Sequence, residues 1–281
     1  MGILNLRRRR TAVAAGLATL ALAACAAAVP AQAADKTKYI ALGDSYAAGQ
    51  GAGEYKNDTC YRSENSYAEL AAHAKAIKLV TNAACSGKTT QDVVNTQLRQ
   101  LNKTTELVTI TAGGNNLGFG DIVTNCGSAV PALAAACAKA SATATDLLVS
   151  RRLAGDVAAM IRSVQTAAPN AKIVVTGYPY LFDPFNLDPA DSMTPFIYQA
   201  TFLADQLNAN ILQAAGETNT KDHRVQYVDV RTAFAGHGIN SATNDPWING
   251  ATGNADSFHP NAAGYKAYFT ALKDAKVYSA R

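Results

Sequence analysis

Tyr39-Ile40-Ala41-Leu42-Gly43-Asp44-Ser45-Tyr46 is the stretch whose reading decides the fold. Four apolar residues cut short by a Gly-Asp turn signal read as a short buried strand followed at once by a turn. Downstream, the same alternation repeats. Ser66 to Ile77 is Ala-rich and predicted helical, and Leu79 to Ala84 returns as a strand. Thr90 to Leu101 is predicted helical, with Leu107 to Ile110 as the third strand. Leu147 to Ala167 reads as one long amphipathic helix, with Val149, Leu153, Val157, Met160, Ile161 and Val164 at helical spacing. Ile173 to Thr176 and Val225 to Val230 supply strands four and five. Between these two strands lie an irregular stretch, Tyr178 to Pro195, and a helix from Phe196 to Ala215. Pro260 stands where a last helix, running through Tyr265 to Leu272, is expected to begin. Strands alternating with helices predict the α/β class, a three-layer α/β/α sandwich on a five-stranded parallel sheet.

Upstream of Tyr39 the chain reads as an export segment. A basic cluster, Arg7 to Arg10, precedes the Ala/Leu-rich run Thr11 to Val29, and Ala31-Gln32-Ala33 gives a small-x-small cleavage pattern. The expectation is a signal peptide over 1–33 and a single domain over 34–281. A membrane anchor is the competing reading, but Pro30 breaks the run and it is short for a span. Leu22-Ala23-Ala24-Cys25 is similar to a lipoprotein box, which would place a lipid anchor on Cys25. The arginines also permit twin-arginine export. Residues 1–33 hold four Arg and no acidic residue, so their removal takes the formal charge from +4 to 4 − 4 = 0. A neutral remainder lacks the basic footprint of a nucleic-acid binder.

Of five cysteines, Cys25 falls in the export segment and Cys60, Cys85, Cys126 and Cys137 remain, an even set suited to an exported chain. Four cysteines allow three pairings. Cys60–Cys85 and Cys126–Cys137 are preferred because each closes a local loop. No Cys-x-x-Cys or His-x-x-x-His spacing suggests zinc, and neither a metal nor another cofactor is expected.

In parallel sheets ligands lie beyond the carboxyl ends of the strands. There the sequence places Gly43-Asp44-Ser45-Tyr46, Cys85-Ser86-Gly87, Gly113-Gly114-Asn115-Asn116 and, before the last helix, Asp256-Ser257-Phe258-His259. Taken singly each has a bland reading: Ser45 as a helix N-cap, Asn115 as a turn residue, His259 as a structural histidine. Together they fit acyl transfer. A serine hydroxyl needs a neighbouring base to take its proton as it attacks, and imidazole titrates in the useful range. Attack on an ester carbonyl creates an oxyanion, for which the Ser45 and Gly87 backbone N–H groups and the Asn115 side-chain amide are candidate donors. Asp256 is a candidate to hold the other ring nitrogen.

These four blocks resemble the GDSL, or SGNH, hydrolase family. The resemblance implies a flavodoxin-like SGNH hydrolase fold, with Ser45 as nucleophile, Gly87 and Asn115 as second- and third-block oxyanion donors, and His259 as base. Cys60-Tyr61-Arg62-Ser63 and Ser66-Tyr67 further resemble secreted actinobacterial lipases and esterases. Their cystine in this region supports the Cys60–Cys85 pairing. Tyr46 replaces the leucine of the family's name, at a position not expected to do chemistry, and Asn116 replaces an aspartate. Some members orient the histidine through a backbone carbonyl, which leaves the part played by Asp256 open.

His73, His223 and His237 are read as structural or surface residues, and Asp121 and Asp245 as surface or turn carboxylates. Gly49, Gly51 and Gly53 read as a mobile loop near the site, since a phosphate loop's Lys-Thr is missing. Trp247, Phe182, Phe185 and Phe196 are candidates for an acyl pocket or for the core. An α/β-hydrolase elbow, Gly-x-Ser-x-Gly at mid-chain, does not match. The expected activity is a secreted carboxylic ester hydrolase, a monomer acting on a small-molecule or lipid ester. A polysaccharide O-acetyl esterase of the same fold and a non-catalytic acyl- or glycan-binding envelope protein are the alternatives.

Overall fold

The computed structural model describes residues 35–126, 134–185, 187–251 and 253–279; the expected export segment 1–33, with Cys25, lies outside them. In chain order the strands are β1 (Thr37–Gly43), β2 (Tyr55–Asn57), β3 (Arg62–Ser63), β4 (Ile77–Asn82), β5 (Leu107–Thr111), β6 (Lys172–Thr176) and β7 (Val225–Val228). The helices are α1 (Ser45–Ala48), α2 (Tyr67–Ala72), α3 (Thr90–Thr96), α4 (Phe119–Cys126), α5 (Ala134–Val149), α6 (Arg152–Ala167), α7 (Thr194–Thr218) and α8 (Ala262–Asp274).

Five strands form one parallel sheet in the order β4-β1-β5-β6-β7, and β2 with β3 forms a small antiparallel hairpin. Counting only the five sheet strands, this is the doubly wound order 2-1-3-4-5, whose switch point lies between the first and third of them. Here those are β1 and β5, both buried along the sheet centre. Burial on both faces explains their continuous apolar runs. The edge strand β4 instead exposes Lys78 and Val80. Helix α2 packs on α8, while α3, α5 and α7 pack on α6.

The predicted sheet is present, with several boundaries moved. The single helix expected over Leu147 to Ala167 is two, α5 and α6, broken at Arg151, whose φ is +60°. The Ser150 hydroxyl bonds back to the Asp146 carbonyl at 2.5 Å, and Arg152 pairs with the Asp146 carboxylate. The break turns Val149 out to solvent, while Leu153 through Val164 keep the buried face. The helix expected over Ser66 to Ile77 stops at Ala72, capped at its start by Ser66, and the second sheet strand begins at Ile77. Pro260 does not open the last helix. It pairs in an antiparallel bridge with Ile248, and Asn261 caps α8 by accepting from the Gly264 N–H. The disulfides join Cys60 to Cys85 and Cys126 to Cys137.

Candidate active site

The end of β1 is fixed before the first functional side chain is reached. Gln97 clamps Gly43 from both sides, accepting from its N–H and donating to its carbonyl, each at 2.8 Å. Gly43 has φ +130°, and a Cβ there would stand 2.1 Å from the Thr111 carbonyl oxygen, so only glycine fits between the two strands. Asp44 then caps α1, its carboxylate accepting the Tyr46 N–H at 3.0 Å. This one-turn helix presents Ser45 at the carboxyl edge of the sheet.

The His259 Nε2 stands 2.8 Å from the Ser45 Oγ. The other ring nitrogen, Nδ1, meets the Ser257 carbonyl at 2.9 Å. A carbonyl only accepts, so Nδ1 carries the proton and Nε2 is left to accept from the serine hydroxyl. Burial pushes the imidazole down to about 4, against the smaller opposing pulls of the Ser257 carbonyl and the Asp256 charge. At neutral pH the ring is therefore unprotonated, the form a general base needs.

Asp256 does not hold the ring as expected. The turn from Asp256 to His259, closed by the His259 N–H on the Asp256 carbonyl at 3.2 Å, puts the backbone oxygen of residue 257 beside the imidazole. The Asp256 carboxylate instead accepts the Tyr55 hydroxyl at 2.5 Å, and that hydroxyl accepts the Gly51 N–H at 2.8 Å.

The glycine loop after Ser45, expected to be mobile, is strapped down. Gln50 donates from its N–H to the Ser45 carbonyl at 3.1 Å and from its side chain to the Ala255 carbonyl. Asn249 holds the Gly51 carbonyl at 3.0 Å. The Tyr46 hydroxyl reaches the Phe258 carbonyl at 2.8 Å, so the position given no chemistry ties α1 to the histidine loop. Phe258 itself sits at φ +63°, a strained conformation for a bulky residue, next to the base.

Of the other predicted donors, Asn115 opens a 3-10 turn after the Ala112-Gly113-Gly114 segment that leaves β5, and it gives one amide hydrogen to the Lys88 carbonyl at 3.0 Å. Asn116 binds Thr90 through both ends of its amide, at 3.0 and 2.9 Å. Gly87, at φ +75°, lies in the turn after Cys85, whose N–H bonds the Gly43 carbonyl at 3.0 Å; the turn is thus tied to the nucleophile's strand.

Beside Ser45 and Asn115 runs a cleft walled by apolar side chains, among them Leu117, Phe119, Ile122, Phe196, Leu203 and Leu207, and lined also by Tyr178 and Phe258. Of the aromatics singled out in the sequence, Phe196 lines this cleft. Phe182 packs edge-to-face on Phe196, Phe185 is exposed, and Trp247 stacks on His237. The sequence reading missed the wall from α4 and the inner face of α7. Among the described residues no cluster of three or more His, Cys, Asp or Glu is arranged to hold a metal ion.

Known proteins share this arrangement. The profile of the GDSL-like Lipase/Acylhydrolase family matches residues 41–267. A lipase of Streptomyces rimosus is 35% identical over 279 residues, covering 97% of this chain and all of the relative. Lipase 1 of Streptomyces coelicolor is 36% identical over 258 residues, covering 90% of each. Among solved structures, the extracellular lipase of S. rimosus superposes with a TM-score of 0.75 at 34% identity, over 85% of this chain and 99% of that one. The phospholipase A1 of Streptomyces albidoflavus gives 0.75 at 35% identity over the same shares. With the matched region running from β1 into α8, and so taking in both Ser45 and His259, the chain belongs to the GDSL-like lipase/acylhydrolase family.

Proposed function

We propose that this protein hydrolyses carboxylic esters of apolar acyl chains through an acyl-Ser45 intermediate. The observation that carries the reading is the 2.8 Å contact between the Ser45 hydroxyl and a neutral His259 whose far nitrogen is occupied by a backbone carbonyl. His259 takes the hydroxyl proton as Ser45 attacks the ester carbon. The carbonyl oxygen, now negative, is met by the Ser45 and Gly87 N–H groups and by the second amide hydrogen of Asn115. Collapse expels the alcohol, to which His259 returns the proton. Water then repeats the sequence on the acyl-enzyme, giving the acid and free serine. Ser257, through its carbonyl, keeps the ring in the productive tautomer; Asp256 contributes charge from a distance.

The cleft supports a lipid or long acyl ester over an acetyl ester. A wall built from Leu117, Phe119, Ile122, Leu203 and Leu207 has no use for an acetyl group, but gains about 0.8 kcal/mol per methylene it buries. The names lipase and phospholipase A1 among the relatives agree with that choice. No helix among the described residues is long and apolar enough to cross a membrane. We take the working enzyme to be a monomer, exported after removal of residues 1–33, as the extracellular S. rimosus relative suggests.

Turnover of p-nitrophenyl esters from acetyl to palmitoyl tests this reading. Wild type is expected to favour longer chains, and Ser45→Ala to lose at least 10³-fold in kcat, in line with removal of a serine nucleophile. Equal turnover by the two proteins would remove Ser45 from the mechanism.

A further inference from the structure

We propose that the hydrogen bond between the Tyr178 hydroxyl and the Asp44 carboxylate is a positioning device that keeps the Asn115 turn in register with Ser45. The inference rests on the hydrolase reading above and adds two positioning residues to it.

Asp44 is buried, and its two carboxylate oxygens do different jobs. Oδ1 accepts the Tyr46 N–H at 3.0 Å and caps the nucleophile's helix, while Oδ2 accepts the Tyr178 hydroxyl at 2.5 Å. The same hydroxyl oxygen accepts the N–H of Gly114, the residue before Asn115, at 3.1 Å. One phenol thus spans the two strand ends at the switch point, with the nucleophile on one side and the oxyanion amide on the other.

The sheet does not need this bridge to hold β1 against β5. The ladder between them continues to the Asp44 N–H on the Thr111 carbonyl, at 2.9 Å. Beyond that rung the chains part; the turn after Cys85 links them indirectly, through the Gly43 carbonyl and the Lys88 carbonyl that holds Asn115, and the phenol bridges them directly. Tyr178 has little freedom to follow if they shift. Asn208 holds its backbone on both sides, accepting from its N–H at 2.9 Å and donating to its carbonyl at 3.0 Å. The ring packs edge-to-face on Tyr46 at 5.1 Å, and Gly114 passes so close that a Cβ there would lie 3.4 Å from it. A hydroxyl carried on so fixed a ring sets a distance. Oxyanion donors contribute only when aimed at the point where charge develops, and a displacement of about 1 Å costs on the order of 10²-fold in rate.

Neither residue touches the Ser45–His259 hydrogen bond, and Tyr178→Phe keeps the ring that walls the cleft. The expected signature is therefore a loss in kcat with substrate binding preserved. Kinetics are measured per active site, titrated with a fluorophosphonate, for wild type, Tyr178→Phe, Asp44→Ala, Asp44→Asn and the Tyr178→Phe/Asp44→Ala pair, and per protein concentration for Ser45→Ala, each with its melting temperature. Tyr178→Phe should lower kcat by about 10- to 100-fold with KM within about 2-fold. Asp44→Asn, whose one carbonyl oxygen can accept from the phenol or from the Tyr46 N–H but not from both, should recover only part of what Asp44→Ala loses. The pair should be no more than about 3-fold worse than its worse single, because both act through one bond.

Wild-type kcat in Tyr178→Phe, with or without a lower melting temperature, would overturn the proposal; so would a loss confined to KM, or fully additive losses. If Tyr178→Phe fails to fold, Asp44→Ala decides the question, since wild-type kcat per titrated site in that variant would overturn the proposal. An active Ser45→Ala protein would instead sink the hydrolase reading, an outcome distinct from any of these.

Discussion

Gly51 lies where the chain leaving the nucleophile passes beneath the histidine loop, and alanine there meets that loop directly. Its φ is +97°, and a Cβ would stand 2.5 Å from the Pro260 carbonyl oxygen, 2.8 Å from the His259 Cβ and 2.9 Å from the Asn249 amide nitrogen. Ordinary contact begins at 3.4 Å, so the nearest approach must open by 3.4 − 2.5 = 0.9 Å. If the histidine segment takes up that shift, the Nε2 to Oγ contact widens from 2.8 to as much as 2.8 + 0.9 = 3.7 Å, past hydrogen-bond range. A misplacement near 1 Å predicts a kcat lower by about 100-fold, and the left-handed backbone adds about 1–3 kcal/mol of destabilisation. Gly53 is the matched control, since it also has a positive φ, +67°, but a Cβ there meets nothing within 4 Å. Gly53→Ala should lose stability and keep kcat. Both variants are assayed with a p-nitrophenyl ester per titrated serine, alongside urea unfolding. A folded Gly51→Ala protein with kcat within 2-fold of wild type would refute the claim that this loop sets the position of the imidazole.

Four further outcomes rest on the same geometry. Burial lowers the His259 imidazole from 6.5 to about 4, so kcat/KM should hold as pH falls through 6 and decline only near 4. Because the folded ring binds its proton later than the unfolded one, this residue costs stability as pH drops from 6.5 towards 4, by up to about 3 kcal/mol. Subtracting the urea-unfolding curve of His259→Asn isolates that loss from Asp44, whose burial raises its carboxyl to about 7 and whose slope has the opposite sign. Asp256→Ala should lower kcat by less than about 10-fold while His259→Ala loses more than 10³-fold, since the Ser257 carbonyl keeps the ring in place; comparable losses in steady-state assays would restore Asp256 to a triad. Ala200 lines the cleft with a small side chain, so Ala200→Trp should shorten the preferred acyl chain and leave butyrate hydrolysis near wild type; an unchanged chain-length profile would place the acyl group elsewhere.

The parts of this enzyme that were legible in the sequence are those whose physics is local. The strand β1 and its neighbours announce themselves because central parallel strands are buried on both faces and carry unbroken apolar runs. Ser45, Gly87, Asn115 and His259 stand out because each follows a strand or precedes a helix with characteristic small residues around it. The break at Arg151 carried no such mark, because Ser150-Arg151 is compatible with a helix and the left-handed residue is not glycine. Asp256 stood at a plausible spacing from His259, but spacing cannot say whether a carboxylate or the next carbonyl will face the ring. The ties made by Tyr46, Tyr55 and Tyr178 join segments up to 212 residues apart, and the cleft wall assembles from α4 and α7. Such contacts exist only once the chain has folded, and nothing in the local pattern of a tyrosine or leucine declares them.

In this mechanism one activated hydroxyl, on Ser45, carries the acyl group. Brief reaction of the wild-type protein with an alkyl fluorophosphonate, followed by digestion and peptide mass spectrometry, tests it directly. A single adduct on the Ser45 side chain is expected, formed with loss of all esterase activity and nearly absent in His259→Ala. Full inactivation with the adduct on another residue, or undiminished esterase activity in a protein modified at Ser45, would contradict it.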